Sequence, residues 1–104
     1  MLDARKAPLD CPDMATLRCQ IDDLDAQLVA LLQERSTYID RAIQLKPAEG
    51  LIARLEDRVE QVVANVRQKA ETQGLDPDLT ESLWRKLIDW SIEREEKVLG
   101  PGKE

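Results

Sequence analysis

Residues 17–46 read LRCQIDDLDAQLVALLQERSTYIDRAIQLK, thirty residues without a glycine or proline. Leu17, Ile21, Leu24, Leu28, Leu31, Tyr38, Ala42 and Leu45 recur at alternating steps of four and three, the period of a helix that presents one apolar seam to a partner. Arg35 stands on that seam. A guanidinium is always charged and costly to cover unless something pairs with it, so the breach marks a polar site within a helical bundle.

Outward from this stretch the chain divides into two more helices. Asp13 or Thr16 caps the first, which runs to Lys46 and is stopped by Pro47. About 30 residues at about 1.5 Å each span about 45 Å, too long for one compact globule of 104 residues. A second helix is expected from near Leu51, with the stripe Ile52, Leu55, Val59, Val62, Val66 and Ala70, ending where Gly74 provides a left-handed cap and Leu75 its apolar contact. Asp76 then reads as an N-cap and Pro77 as the first residue of a third helix reaching about Leu99. Its seam, Trp84, Ile88, Ser91, Glu95 and Val98, carries a second polar breach at Ser91 and Glu95. The expected organisation is a disordered or extended segment 1–12, one helical domain over 13–99 and a flexible tail 100–104.

Composition restricts the class. With 42% hydrophobic residues, 35% charged residues, three aromatic residues (Tyr38, Trp84 and Trp90) and no phenylalanine, the chain suits amphipathic helices, so the fold class is all-α. A single small core gains from surface supplied by a partner chain. The net charge of −6 excludes nucleic acid and anionic membranes as partners, though a few inward-facing cations suffice for a small anionic ligand. The opening MLDARKAPLDCPD lacks the apolar core of a signal peptide and no segment approaches a membrane span, so the expected location is cytoplasmic. Without histidine, and with only Cys11 and Cys19 as thiols, zinc sites and histidine-based catalysis have nothing to work with. Both cysteines read as reduced and without a role, and no metal or cofactor is called for.

Helix geometry relates the cations. Arg35 and Lys46 are eleven residues apart, three turns and about 16 Å on one face, so their long side chains can converge on one ligand. Arg18 lies seventeen residues before Arg35, about 25 Å away and turned by about 100°. If Arg18 belongs to the same site it comes from another chain. Two first helices paired antiparallel about a two-fold axis would bring it there and create two equivalent pockets.

These residues are similar to those of a known family. The run 17–46, with its leading Leu17-Arg18, Leu31-Leu32-x-x-Arg35 and closing Lys46, resembles the signature of the all-helical, type II chorismate mutases. Arg58, twelve residues after Lys46, falls where that family has a substrate-facing arginine. Residues 74–96, GLDPDLTESLWRKLIDWSIEREE, resemble its third helix, with Ser91 and Glu95 at functional positions. The resemblance covers about residues 14–99 and implies an intertwined, interlocked homodimer with two shared active sites.

It also implies a cofactor-free [3,3] rearrangement of chorismate to prephenate. Arg18 of the partner chain and Arg35 would bind the two carboxylates of this dicarboxylate, Arg58 and Ser91 would help to fix it, and Lys46 and Glu95 would face the ether oxygen whose bond breaks. The arginine fork suits carboxylates, clamping both carboxylates supplies a near-attack geometry, and donors at the ether oxygen stabilise its developing charge.

Two departures from the family pattern carry expectations. Many members have Gln where this chain has Glu95. A carboxyl donates a hydrogen bond only when protonated, so activity is expected to improve in mild acid and Glu95→Gln to flatten that dependence; alternatively Glu95 simply pairs with Lys46. Val59 stands where standard members carry a Glu that contacts the ring hydroxyl, a change resembling the isochorismate pyruvate lyase branch; an amino-substituted chorismate is a further alternative. The reading from another class is a non-catalytic helical dimer or regulatory binding module, which would tolerate Leu or Met at Arg35. Arg41, Arg54, Arg67, Arg85 and Arg94 read as solvated helix charges, and Trp84 and Trp90 as core or dimer contacts.

Overall fold

The computed structural model describes residues 5–100. They are helical, with no strand among them: a 3₁₀ turn at Pro8–Asp10, helix α1 over Met14–Leu45, a second 3₁₀ turn at Pro47–Glu49, α2 over Glu56–Gln73 and α3 over Pro77–Leu99. No helix among the described residues is long and apolar enough to cross a membrane. The chain divides into two compact units, Met1–Thr37 and Tyr38–Glu104.

In the first unit Asp13, not Thr16, caps α1: its carboxylate accepts from the Thr16 N–H at 2.8 Å, a bond that holds the Asp13 carboxyl below the usual range. The segment expected to be disordered or extended holds the Pro8–Asp10 turn, and the Lys6 N–H donates to Gln20 Oε1 at 2.8 Å. Residues 1–4 of that segment, like 101–104 of the expected tail, lie outside the described residues. Cys11 and Cys19 are free thiols. Along the seam Ile21, Leu24, Leu28 and Leu31 are exposed, Leu31 by 61%.

The second unit holds the last turns of α1, then α2 and α3. Lys46 keeps helical backbone angles and its N–H bonds Ala42 O, but Pro47 prevents continuation; Gly50, at φ 72°, turns the chain left-handed, and the Leu51 N–H returns to Lys46 O at 2.9 Å. The second helix begins at Glu56, five residues later than the stripe predicts. In a helix from Leu51 the Ala53 carbonyl would be taken by the N–H of residue 57; here it accepts from the Lys46 side chain instead. Glu56 and Asp57 place acidic groups in the first turn, where the helix dipole favours them. At the other end Gly74 at φ 79° and the Leu75 N–H bonded to Ala70 O form the expected left-handed cap. Asp76 caps α3 by accepting from the Asp78 and Leu79 N–H groups.

The core is small and aliphatic. Ala53, Val59, Val63, Ile88 and Ile92 form it, with Val62 and Leu99 packed at its edge; Ile52, expected inside, is exposed. Four arginines read as solvated charges are paired. Arg67 on α2 reaches Asp78 and Glu81 on α3, Arg85 on α3 reaches Glu60 on α2 and Glu81 on its own helix, Arg54 reaches Asp89 and Glu56, and Arg94 reaches Asp40. Arg41 hydrogen-bonds Gln44.

Hydrogen bonds from Arg85 hold the Glu60 and Glu81 carboxyls below the ordinary range. Carboxylates with depressed folded values contribute stability above the unfolded carboxylate range near pH 4, and that contribution fades as pH falls through the lowered values. Urea midpoints measured from pH 7 downward should therefore fall below about pH 4, and Arg85→Gln should make that acid limb shallower while lowering the neutral plateau slightly.

Candidate functional site

Lys46 follows the last residue of α1, and its long side chain reaches both the connector and α3. Its Nζ donates to Ala53 O at 2.7 Å and to Glu95 Oε1 at 2.6 Å. The side chains are 15% and 6% exposed. Withdrawing two ions from water costs several kcal/mol each, offset only by close contact and by further hydrogen bonds. An ammonium has three N–H groups, and these two contacts employ two of them.

Glu95 reaches the lysine because α3 is amphipathic in an unusual way. Ile88, Ser91, Ile92 and Glu95 follow the i, i+3, i+4, i+7 spacing of one helix face, and all four are buried. Ile88 and Ile92 belong to the core; Glu95 continues the same face in charged form. Ser91 donates to Leu87 O one turn back at 2.8 Å, the bond by which a serine is tolerated within a helix.

The remaining residues picked out by sequence are distributed as follows. Arg58 and Val59, consecutive on α2, point about 100° apart: Arg58 is exposed and donates to Gln61 Oε1 at 2.7 Å, whereas Val59 is packed in the aliphatic core. Arg18, exposed, and Arg35, half-buried, belong to the first unit. The second unit thus brings together Lys46 and Glu95, with Ser91 one turn away on α3.

Two features have no forecast in the spacing. One is the Ala53 carbonyl, a main-chain acceptor that any residue type could supply. The other is a clasp beside the lysine: Arg94 Nε and Nη2 donate to Asp40 Oδ1 and Oδ2 at 2.6 and 3.1 Å, and the guanidinium carbon lies 5.4 Å from the Trp90 ring centroid. The Arg94 hydrogen bond holds the Asp40 carboxyl below its usual range. The i, i+4 relation of Trp90 and Arg94 was visible in the sequence; their connection to Asp40, 54 residues from Arg94, was not.

Breaking the buried pair from one side should be costly. Glu95→Leu alone is expected to destabilise the protein towards the lower end of about 3–5 kcal/mol, and Lys46→Met/Glu95→Leu by much less, because the double variant leaves no uncompensated charge. Urea denaturation of the two single variants and the double variant measures this coupling.

Chemically, the arrangement is an ammonium with a further N–H beside a carboxyl, suited to polarising an oxygen in a bound molecule. Comparison with known proteins gives the family. The sequence pattern of chorismate mutase type II matches residues 17–96. The chain is 34% identical over 87 residues to a Pseudomonas aeruginosa protein named isochorismate pyruvate lyase, covering 84% of this chain and 85% of that one. It is 32% identical over 76 residues to the T-protein of Enterobacter agglomerans, covering 73% of this chain but only 20% of that longer protein. With the match embracing Arg18, Arg35, Lys46, Arg58, Ser91 and Glu95 in one continuous span, this chain belongs to the type II chorismate mutase family.

Proposed function

We propose that the protein is a chorismate mutase, converting chorismate to prephenate without a cofactor, in a cytoplasmic homodimer with two shared sites. The observation that carries this reading is the Lys46–Glu95 pair, sequestered at 2.6 Å with Ala53 O as its third member. In the rearrangement the ether carbon–oxygen bond breaks as a carbon–carbon bond forms, and negative charge grows on the oxygen. The remaining Lys46 N–H stabilises that charge, and Glu95, when protonated, supplies a second donor. Arg35 and Arg18 of the partner clamp the two carboxylates, and Arg58 and Ser91 assist in fixing the substrate.

The dimer is supported by α1 itself. This 32-residue helix has no buried residue, and its exposed seam of Ile21, Leu24, Leu28, Leu31, Tyr38 and Leu45 is more contiguous apolar surface than an isolated chain keeps in water. A second copy of the same seam covers it, and places Arg18 where no residue of its own helix could serve.

A second reading is favoured by one relative and one residue. The relative covered over 85% of its length is named isochorismate pyruvate lyase, and Val59 has no polar group with which to contact a ring hydroxyl. Cleavage of isochorismate to salicylate and pyruvate breaks the same ether bond, so the same donors serve.

Purified protein assayed side by side with chorismate and isochorismate decides between them. Prephenate as the dominant product is expected; dominant salicylate and pyruvate would assign the lyase, and turnover of neither would leave a binding module. Lys46→Met should lower kcat by about 10²- to 10³-fold, the cost of removing one oxyanion donor. Glu95→Gln, which keeps a hydrogen-bond donor at this place, should retain turnover where Glu95→Leu lowers it; equal rates in the two would deny Glu95 the donor role.

A further inference from the structure

We propose that the Asp40–Arg94 ion pair, braced by Trp90, is a positioning device that sets the Lys46 ammonium for the reaction. Its catalytic consequence rests on the function proposed above, whereas its effect on Lys46 does not.

Asp40 precedes Lys46 by six residues, about 9 Å along α1 and about 240° around it, while Arg94 and Glu95 are neighbours on α3. The end of α1 and the last turns of α3 are therefore joined by two ion pairs of opposite polarity: acid then base along α1, base then acid along α3. A rotation of α3 that carried Arg94 into the place of Glu95 would set a guanidinium against the Lys46 ammonium. One pair alone leaves such a rotation open; two crossed pairs do not.

The geometry of the clasp is directional. Both Asp40 oxygens are engaged by two different nitrogens of Arg94, a fork that fixes orientation as well as distance. Trp90, one turn earlier on α3, lies against the guanidinium and restricts its rotamers. Lys46, by contrast, ends a flexible four-carbon stem, so the place of its Nζ depends on where the end of α1 is held. Misplacing a reacting group by about 1 Å can cost about 10²-fold in rate.

Exposure separates this role from a stabilising one. Arg94 and Asp40 side chains are 44% and 45% exposed, and exposed pairs add little to stability. The clasp is thus dispensable for folding and its effect falls on position.

The test uses Asp40→Asn, Arg94→Gln and the conservative Arg94→Lys in the full chain. Three quantities are read: the urea midpoint, kcat and KM for whichever of chorismate or isochorismate is turned over, and the side-chain ammonium ¹⁵N resonance of Lys46 without ligand, assigned with Lys46→Arg. Asp40→Asn and Arg94→Gln should leave the urea midpoint nearly unchanged, broaden the Lys46 resonance and lower kcat by about 10- to 100-fold with KM within about threefold. Arg94→Lys, which keeps the charge without the fork, should be intermediate. An unchanged Lys46 resonance in both Asp40→Asn and Arg94→Gln overturns the proposal, as does a kcat within about twofold of the parent in both. Should the parent turn over neither substrate, the function reading falls, and the resonance alone decides the positioning role: broadening supports it and constancy refutes it.

Discussion

A lysine ammonium withdrawn from water sets the terms for the second unit of this protein. Lys46 Nζ, between Ala53 O and Glu95 Oε1, is tolerable only while both acceptors are in place, and several local features follow from that requirement. The backbone of 51–55 stays out of the helix so that a carbonyl is free. Pro47 and Gly50 end α1 and return the chain at the distance that the lysine side chain can bridge. The inward face of α3 begins apolar at Ile88 and ends charged at Glu95.

The surrounding core explains why such a polar pair can persist. Ala53, Val59, Val63, Ile88 and Ile92 are small or β-branched and have no polar atoms with which to compete for the lysine or the glutamate. Ala53 joins the two systems: its side chain belongs to the aliphatic cluster and its carbonyl to the ion pair. At the rim, Arg54, Arg67, Arg85 and Arg94 pair with acids on neighbouring elements, which supplies orientation more than energy because these groups remain wet. On α1 the seam residues Ile21, Leu24, Leu28 and Leu31 are exposed, and in the proposed dimer a second copy covers them.

Periodicity made the three helices legible because each carries a long apolar repeat and strong terminal signals: Asp13, Pro47, Gly74, Asp76 and Pro77 all act at the ends as their chemistry requires. The start of α2 was not legible, since Ile52 and Leu55 fit the helical stripe and nothing local records that Ala53 O is claimed by a side chain seven residues earlier. Lys46 and Glu95 could be singled out, one by its spacing from Arg35 and the other as a charge on an apolar seam. The acidic partner of Arg94 could not, because an exposed arginine on a helix surface has the same local pattern whether it is solvated or clasped. Charge pairs between distant segments have no period.

Val59 illustrates how packing and recognition can demand the same residue. Its side chain is 7% exposed within the aliphatic cluster, where a carboxylate would need its own partner to offset desolvation. Packing therefore supplies a sufficient reason for a branched apolar residue, independent of which ring is bound. In the proposed reaction the Lys46–Glu95 pair is equally neutral on that point, since it would address an ether oxygen common to chorismate and isochorismate. Preference between the two must come from groups that meet the ring hydroxyl, and a hydrogen-bonding group there discriminates far more strongly than an apolar wall. With Val59 turned into the aliphatic core, position 59 offers the proposed site no hydrogen-bonding group for the ring hydroxyl, and that site is consequently expected to be permissive towards the hydroxyl's position.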